Sequence, residues 1–330
     1  MATLLLTDRD INELMPVADC IDVMADALRA VSDGNAQLPL RTILRLPGGR
    51  NAFGSMPAAV GDSIGAKVIT VFPGNADTRY DSHIGVVLLF GAEHGELLAI
   101  ADGSSITAIR TSAVSGLATK LLARPDADDL SILGAGVLAT PHLDAIRAVR
   151  RVRRVRVWSR SGTRAQEWAA KAGPPRGLSI EVCESAQAAV SGADIVCTLT
   201  ASRTPVLESA WLAPGVHINA VGASLAQARE LDSETVVQSR LFVDRRESTL
   251  AESGDFLIPK SEGRITDGHI LAELGDLVAG RVAGRTGAAE RTLFKSLGLA
   301  VEDVASLRYL HARATALGRG TMVELGGLRH

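Results

Sequence analysis

One stretch of the chain has both the residue types and the spacing for a definite chemistry: Ser131-Ile132-Leu133-Gly134-Ala135-Gly136-Val137-Leu138-Ala139. An apolar β-like run enters a Gly-x-Gly-x-x-Ala turn, and a helical pattern follows. Gly134 permits the tight turn, Gly136 lets the backbone approach a pyrophosphate, and the small Ala139 lets helix and strand pack closely. The phosphates would rest on N–H groups at the helix start, so the turn is expected to bind a dinucleotide. About 20 residues on, NAD-binding chains carry an Asp or Glu for the ribose hydroxyls. Here the run is Val155-Arg156-Val157-Trp158-Ser159-Arg160-Ser161, without an acid. Ser159, Arg160 and Ser161, with Arg164 one turn later, offer donors to a 2′-phosphate, so NADP(H) is favoured and NAD(H) is the alternative.

A second group of residues is scattered through the first third of the chain. Arg41, Lys67, His83 and Arg110 are isolated basic residues that could hold a small anion. Each alone is more often a surface charge. Lys67, inside the apolar run Gly65-Ala66-Lys67-Val68, is the exception, because lysine is rarely buried unpaired. Arginines with a lysine are how a carboxylate is fixed in a cleft. The arginines at 147, 150, 151, 153, 154 and 156 read as a solvated helix end rather than a nucleic-acid site, since no aromatic residue interleaves them.

These residues need elements to position them. Thr7-Asp8-Arg9-Asp10 resembles a capping box, and a second helix follows Pro16 until Asp33-Gly34. Short β-rich runs then occupy Leu40–Leu46, Ala66–Val71, Gly85–Phe90 and Leu97–Ala101, and a helix is expected from Ile106 to Arg124. The middle of the chain shows six β-like runs: Asp129–Leu133, Arg154–Ser159, Ser179–Cys183, Asp194–Thr200, His217–Val221 and Leu241–Asp244. Strands alternating with crossover segments predict an α/β fold with a doubly wound parallel sheet. A last helix is expected over Leu293–Leu317, returning to the first domain.

Composition bounds the rest. A length of 330 residues suits two domains, at roughly 150 residues each. The 35 Lys+Arg against 37 Asp+Glu give a net charge of −2, which speaks against a nucleic-acid or acidic-membrane partner. Aromatic residues are 3% of the chain, too few for stacking platforms. Cys20, Cys183 and Cys197 form neither a disulfide framework nor a metal knuckle, so no metal and a reducing, cytoplasmic setting are expected. MATLLLTDRD has no basic segment followed by a long apolar one, and no apolar run approaches the ~18 residues of a membrane span.

The runs Met56-Pro57-Ala58, Gly65-Ala66-Lys67, Ser82-His83-x-Gly85-x-x-Leu88-Leu89-Phe90, Thr107-Ala108-x-Arg110-Thr111, His217-Ile218-Asn219-Ala220-Val221-Gly222-Ala223-Ser224 and Phe294-Lys295-Ser296-Leu297-Gly298 resemble the ornithine cyclodeaminase/mu-crystallin family across nearly the whole chain. The resemblance implies a homodimer, a dinucleotide-binding Rossmann domain at 119–299, and a split α+β substrate-binding and dimerisation domain at 1–118 and 300–330. It places Arg41, Lys67 and Arg110 at the carboxylate-binding and catalytic positions, with Met56 beside the substrate. It adds Arg110, Thr111, Val137, Leu138, Thr198, Leu199, Thr200, Val221 and Ser296 to the cofactor's surroundings. Ser224 stands where cyclodeaminases and alanine dehydrogenases have an aspartate, which brings the chain nearer the imino-acid reductases. Ile84 replaces a glutamine after the histidine, suggesting a more apolar substrate pocket.

The expected activity is NADPH-dependent reduction of a C=N bond conjugated to a carboxylate, as in cyclic imino acids. Lys67 would polarise or protonate the imine, Ser224 would orient a water or the nitrogen, and His83 would relay a proton. The alternatives are an ornithine cyclodeaminase or amino-acid dehydrogenase, and a cofactor-dependent small-ligand binding protein like mu-crystallin.

Overall fold

The computed structural model describes residues 2–327, so Met1 and residues 328–330, which the expected domain limits include, lie outside it. The chain divides into two units, Met1–Thr111 with Gly298–His330, and Ser112–Leu297. The first of these limits falls inside a continuous helix, where nothing in the sequence punctuates it; the sequence reading put the limits at 118/119 and 299/300.

The first unit opens with a strand absent from the sequence reading, β1 (Ala2–Leu6). Thr7 then closes a capping box with Asp10 and starts α1 (Asp8–Leu14). Pro16 precedes α2 (Val17–Ser32), which buries Cys20, Ile21, Met24, Ala27 and Leu28. Six strands follow: β2 (Ala36–Gln37), β3 (Thr42–Arg45), β4 (Ala52–Val60), β5 (Ser63–Val71), β6 (His83–Gly91) and β7 (Leu97–Asp102). Strand β4 was hidden in the sequence because Gly54 and Pro57 read as breakers. Pro57 is tolerated because it falls between the stretches of β4 that pair with β3 (52–55) and β2 (59–60), where its missing N–H breaks no bond on that side. Asp102 accepts the Ser105 N–H at 2.7 Å and opens α3 (Gly103–Leu122).

The second unit contains β8 (Asp129–Leu133), α4 (Ala139–Val149), β9 (Arg154–Trp158), α5 (Gly162–Ala172), β10 (Ile180–Val182), α6 (Ala186–Val190), β11 (Ile195–Thr198) and β12 (His217–Ala220). It continues with α7 (Ser233–Val237), β13 (Ser239–Val243), α8 (Arg246–Glu252), α9 (Gly254–Ser261), β14 (Ile270–Glu273), α10 (Leu274–Val278) and β15 (Arg291–Lys295). All its strands are parallel, in the order β10-β9-β8-β11-β12-β15-β13-β14. This is a doubly wound Rossmann sheet with apolar clusters on both faces.

The sheet has eight strands, two more than the six runs read from the sequence. Residues 293–295, expected to begin the last helix, belong instead to β15. Thr292, Leu293, Phe294 and Lys295 are all buried between β12 and β13, and such a β-branched and aromatic run suits an interior strand. Gly298, with φ +78°, then ends any helical continuation backwards, so the helix starts later.

Back in the first unit, α11 (Ala300–Leu317) packs on β4, β5 and β6 and on α2, and β16 (Thr321–Glu324) pairs with β1. The sheet order is β16-β1-β7-β6-β5-β4-β2, with β3 on β4. Strand alternation gives this sheet two faces. Met56, Lys67, Val87 and Leu89 are buried on the α11 side, whereas Phe53, Ile64, Ile84 and Val86 are exposed on the other.

Of the arginines expected to form a solvated helix end, Arg147, Arg151, Arg153 and Arg154 are exposed, whereas Arg150 and Arg156 are turned to structural use. Arg150 donates to the Thr119, Lys120 and Ala123 carbonyls, closing the end of α3, and Arg156 is buried against Asp129 at 2.9 Å. Among the described residues no helix is long and apolar enough to cross a membrane, and no cluster of His, Cys, Asp and Glu is placed to hold a metal.

Candidate active site

In the first unit, β5, α3 and the start of α11 bring buried charges together. Lys67, 2% exposed, projects from β5 and donates to Thr107 Oγ1 at 2.5 Å and to Asp303 Oδ1 at 3.4 Å. Arg110, three residues after Thr107 on α3, donates from Nε to Asp303 Oδ1 at 3.0 Å and from Nη1 to Glu302 Oε2 at 2.7 Å. Both acids lie fully buried in the first turn of α11, where the helix dipole favours negative charge. Arg41 reaches the Gly298 carbonyl at 3.4 Å. A Cβ on Gly298 would stand 2.5 Å from Arg110 Nη1, so the glycine both turns the chain and makes room for the guanidinium. Met56 faces Lys67 across the β4–β5 pair.

Burial pushes the Lys67 ammonium down to about 8, with the Arg110 charge adding to that and Asp303 opposing it. Lys67 and Arg110 share Asp303, and Arg110 also pairs with Glu302, so the cluster holds two cations and two carboxylates in direct contact. Asp303 Oδ2 is buried without a hydrogen-bond partner, a polar group held in reserve at the cluster. His83 begins β6 on the Lys67 side of the sheet; desolvation and the Lys67 charge lower its pKa, so it is neutral at neutral pH. Ile84, the neighbouring position, takes the opposite face. The apolar-pocket reading of Ile84 is therefore corrected for this unit: strand alternation turns it away from Lys67.

In the second unit the candidate residues lie at the carboxyl ends of the parallel strands. Leu133, Thr198, Ala220, Lys295 and Val243 form one row across β8, β11, β12, β15 and β13, and the loops that follow leave from the same edge. Ligands of doubly wound sheets bind at that edge. Gly134 has φ +114°, and a Cβ there would meet the Leu199 carbonyl at 2.8 Å. A Cβ on Gly136 would meet nothing within 4 Å, which leaves the backbone open to a close ligand. Leu138 precedes α4 without a side-chain cap, and Val137 is exposed. This turn fits a dinucleotide's pyrophosphate on each of these counts.

Arg160 and Arg164 are exposed after β9. Ser161 is already engaged as the N-cap of α5, accepting from the Arg164 N–H at 3.4 Å, and Ser159 is half-buried. Thr198, Leu199, Val221 and Ser296 are buried at the strand ends, Thr200 and Ser224 half-buried beside them. Arg110 and Thr111 belong to the first unit, with the cluster around Lys67.

The match to a family model covers residues 1–318, described as the ornithine cyclodeaminase/mu-crystallin family. The chain belongs to that family. It is 42% identical over 281 residues to the ketimine reductase mu-crystallin of Mus musculus, covering 84% of this chain and 86% of that one. The structure of Thermococcus litoralis Delta(1)-pyrroline-2-carboxylate reductase in complex with NADH and L-proline superposes with a TM-score of 0.95 at 39% identity, covering 97% of this chain and all of that one (100%). An archaeal alanine dehydrogenase dimer with bound NAD superposes with a TM-score of 0.93 at 30% identity, covering 99% of this chain and 100% of that one.

Within the family frame, sequence reasoning found the basic residues but missed their partners. Thr107 sits in a quoted motif, three residues before Arg110, and helical spacing could have flagged it. Glu302 and Asp303 gave no such signal, since acids opening a helix are ordinary N-terminal residues.

Proposed function

We propose that the protein reduces the C=N bond of cyclic imino acids, with pyrroline- or piperideine-2-carboxylate as the substrate class. The observation that carries this reading is the buried Lys67, near pKa 8, which shares Asp303 with Arg110. The names of the mouse and Thermococcus relatives support it. A reduced nicotinamide, when bound, supplies the hydride. Gly134, Gly136 and the start of α4 would hold its pyrophosphate. Arg41 and Arg110 would fix the substrate carboxylate, and Lys67 would hold a proton at Nζ for the imine nitrogen. Thr107 and Asp303 keep that ammonium in one orientation. Ser224, in place of an acid, provides a hydroxyl to orient a water and leaves no carboxylate to take a proton from an amine.

Arg160 and the missing acid after β9 support a preference for NADPH, although the two structural neighbours are described with NADH and NAD. The apolar outer face of the first sheet, with Phe53, Ile64, Ile84 and Val86 exposed, supports a homodimer, as described for the archaeal alanine dehydrogenase. The three cysteines are free, and burial pushes Cys20 and Cys197 up to about 12, which suits a reducing cytoplasm.

The test is NADPH and NADH oxidation with each cyclic imino acid, run beside ornithine as an alternative substrate. Turnover of the imino acids supports the reading. Proline and ammonia from ornithine without imine reduction would replace it with cyclodeamination, and no turnover with either overturns it.

A further inference from the structure

The second unit buries an ionic chain that none of the roles above uses. Glu230, 0% exposed, lies behind the ends of β11 and β12. Its Oε1 accepts from Thr200 N at 2.6 Å and Thr200 Oγ1 at 2.7 Å. Its Oε2 accepts from Thr198 Oγ1 at 2.8 Å, Gly222 N at 2.7 Å and Ala223 N at 3.2 Å. Five donors on two oxygens match an ionised carboxylate, since a protonated one would set its O–H against a donor. Burial and Asp255 push this carboxyl up, while Lys295 and Thr200 act in the opposite direction.

The chain extends further. Asp255, at the start of α9, accepts the Glu230 and Leu231 N–H groups at 2.8 and 3.1 Å, and pairs with Lys295 at 2.9 Å. Lys295 Nζ also donates to the Ala223 carbonyl at 2.6 Å. The Ala223 backbone is thus gripped at both ends, its N–H by Glu230 and its C=O by Lys295. Ser224 is the next residue.

We propose that Glu230 is a positioning residue for the nicotinamide side of the cofactor site and for Ser224: it ties the Leu199–Thr200 loop to the Gly222–Ser224 loop. The proposal rests on the functional reading given above. The loops are close enough for this to transmit, since a Cβ on Gly222 would stand 2.1 Å from the Thr200 carbonyl. Leu199 in turn packs its carbonyl against Gly134. The loop after β9 leaves the sheet across β8 from β11 and β12, so the adenosine half of the cofactor would be indifferent to Glu230.

That asymmetry separates positioning from general damage. In the full-length protein, Glu230→Gln keeps the side chain's shape but turns an NH2 against at least two of the donors. The dissociation constant for NADPH, read by its fluorescence without substrate, is expected to rise about ten- to a hundredfold. The constant for 2′,5′-ADP, read by calorimetry, is expected to stay within about twofold. Thr198→Val removes one donor from a fully buried side chain and should show the same split at about three- to tenfold. If Glu230→Gln does not fold, the Thr198→Val measurement decides. Equal loss for both ligands, or no loss for either, overturns the proposal. A wild type that binds NADPH or NADH while the variants are unchanged overturns this proposal alone; a wild type that binds neither overturns the functional reading with it.

Discussion

Lys67 in the first unit and Lys295 in the second are both buried lysines in apolar strands, and both pair with an aspartate. Their surroundings differ. Asp255 has its other oxygen filled by two backbone N–H groups, and Lys295 spends a further donor on the Ala223 carbonyl at 2.6 Å. Asp303 is divided between Lys67 and Arg110, and its Oδ2 is left without a hydrogen bond. A saturated ion pair is a rivet, whereas a shared and unsaturated one retains capacity for a ligand or a proton. The same residue type therefore serves architecture in one region and chemistry in the other, and the partner's remaining valence decides which.

The sharpest way to break this comparison is to replace each lysine by methionine. Lys67→Met is expected to lower imine reduction by about 10²–10⁴-fold, the usual loss for a positioned proton donor. Its thermal midpoint should move little, because Asp303 keeps Arg110. Lys295→Met leaves Asp255 and Glu230 buried without their lysine and is expected to lose about 3–5 kcal/mol of stability, read by urea denaturation. If both variants lose activity and stability alike, the distinction fails.

The pH profile sharpens it further. Protonated Lys67 is the active form in the proposed chemistry, and burial brings its pKa to about 8. The value of kcat/KM should therefore fall above about pH 8, roughly tenfold per unit. Asp303→Asn should move that limb to lower pH, because Asp303 raises the Lys67 pKa. The stability sign is opposite to the activity sign. The unfolded chain binds the Lys67 proton up to 10.5 and the folded chain only to about 8, so this group's contribution to stability grows as pH rises between them. A flat alkaline profile would remove Lys67 as the acid.

Smaller effects test each region's backbone and rim. Gly298→Ala adds a Cβ 2.5 Å from Arg110 Nη1 at φ +78°, and should raise the imino-acid KM about tenfold while costing about 1–2 kcal/mol. Unchanged KM would mean that Arg110 does not hold the carboxylate. Arg160→Ala, on the exposed loop after β9, should raise the KM for NADPH by about tenfold and leave that for NADH unchanged. Equal effects on both cofactors would assign the 2′-phosphate to another residue.

The Rossmann unit was the more legible of the two because its signals are local. A strand, a glycine turn and a helix lie within one short run, and short apolar runs between turn residues mark six of the sheet's eight strands. Strand β15 escaped because an interior strand and a buried helix segment look alike over five residues, and only pairing between β12 and β13 tells them apart. In the first unit, β1, β2, β4 and β16 were missed: β1, β2 and β16 lie at or near the sheet's edges, and β4 carries Gly54 and Pro57.

By itself, the sequence determined the dinucleotide turn at Gly134–Ala139, the family, and the suspicion attached to a lysine inside an apolar run. These rest on residue identity and short spacing, which need no long-range contact. Only the tertiary structure decided what surrounds each charge. Asp303 lies 236 residues from Lys67 and 193 from Arg110, and Glu230 lies 32 residues from Thr198. A buried charge takes its pKa and its role from such neighbours, since desolvation and Coulomb terms depend on distance in space and not along the chain.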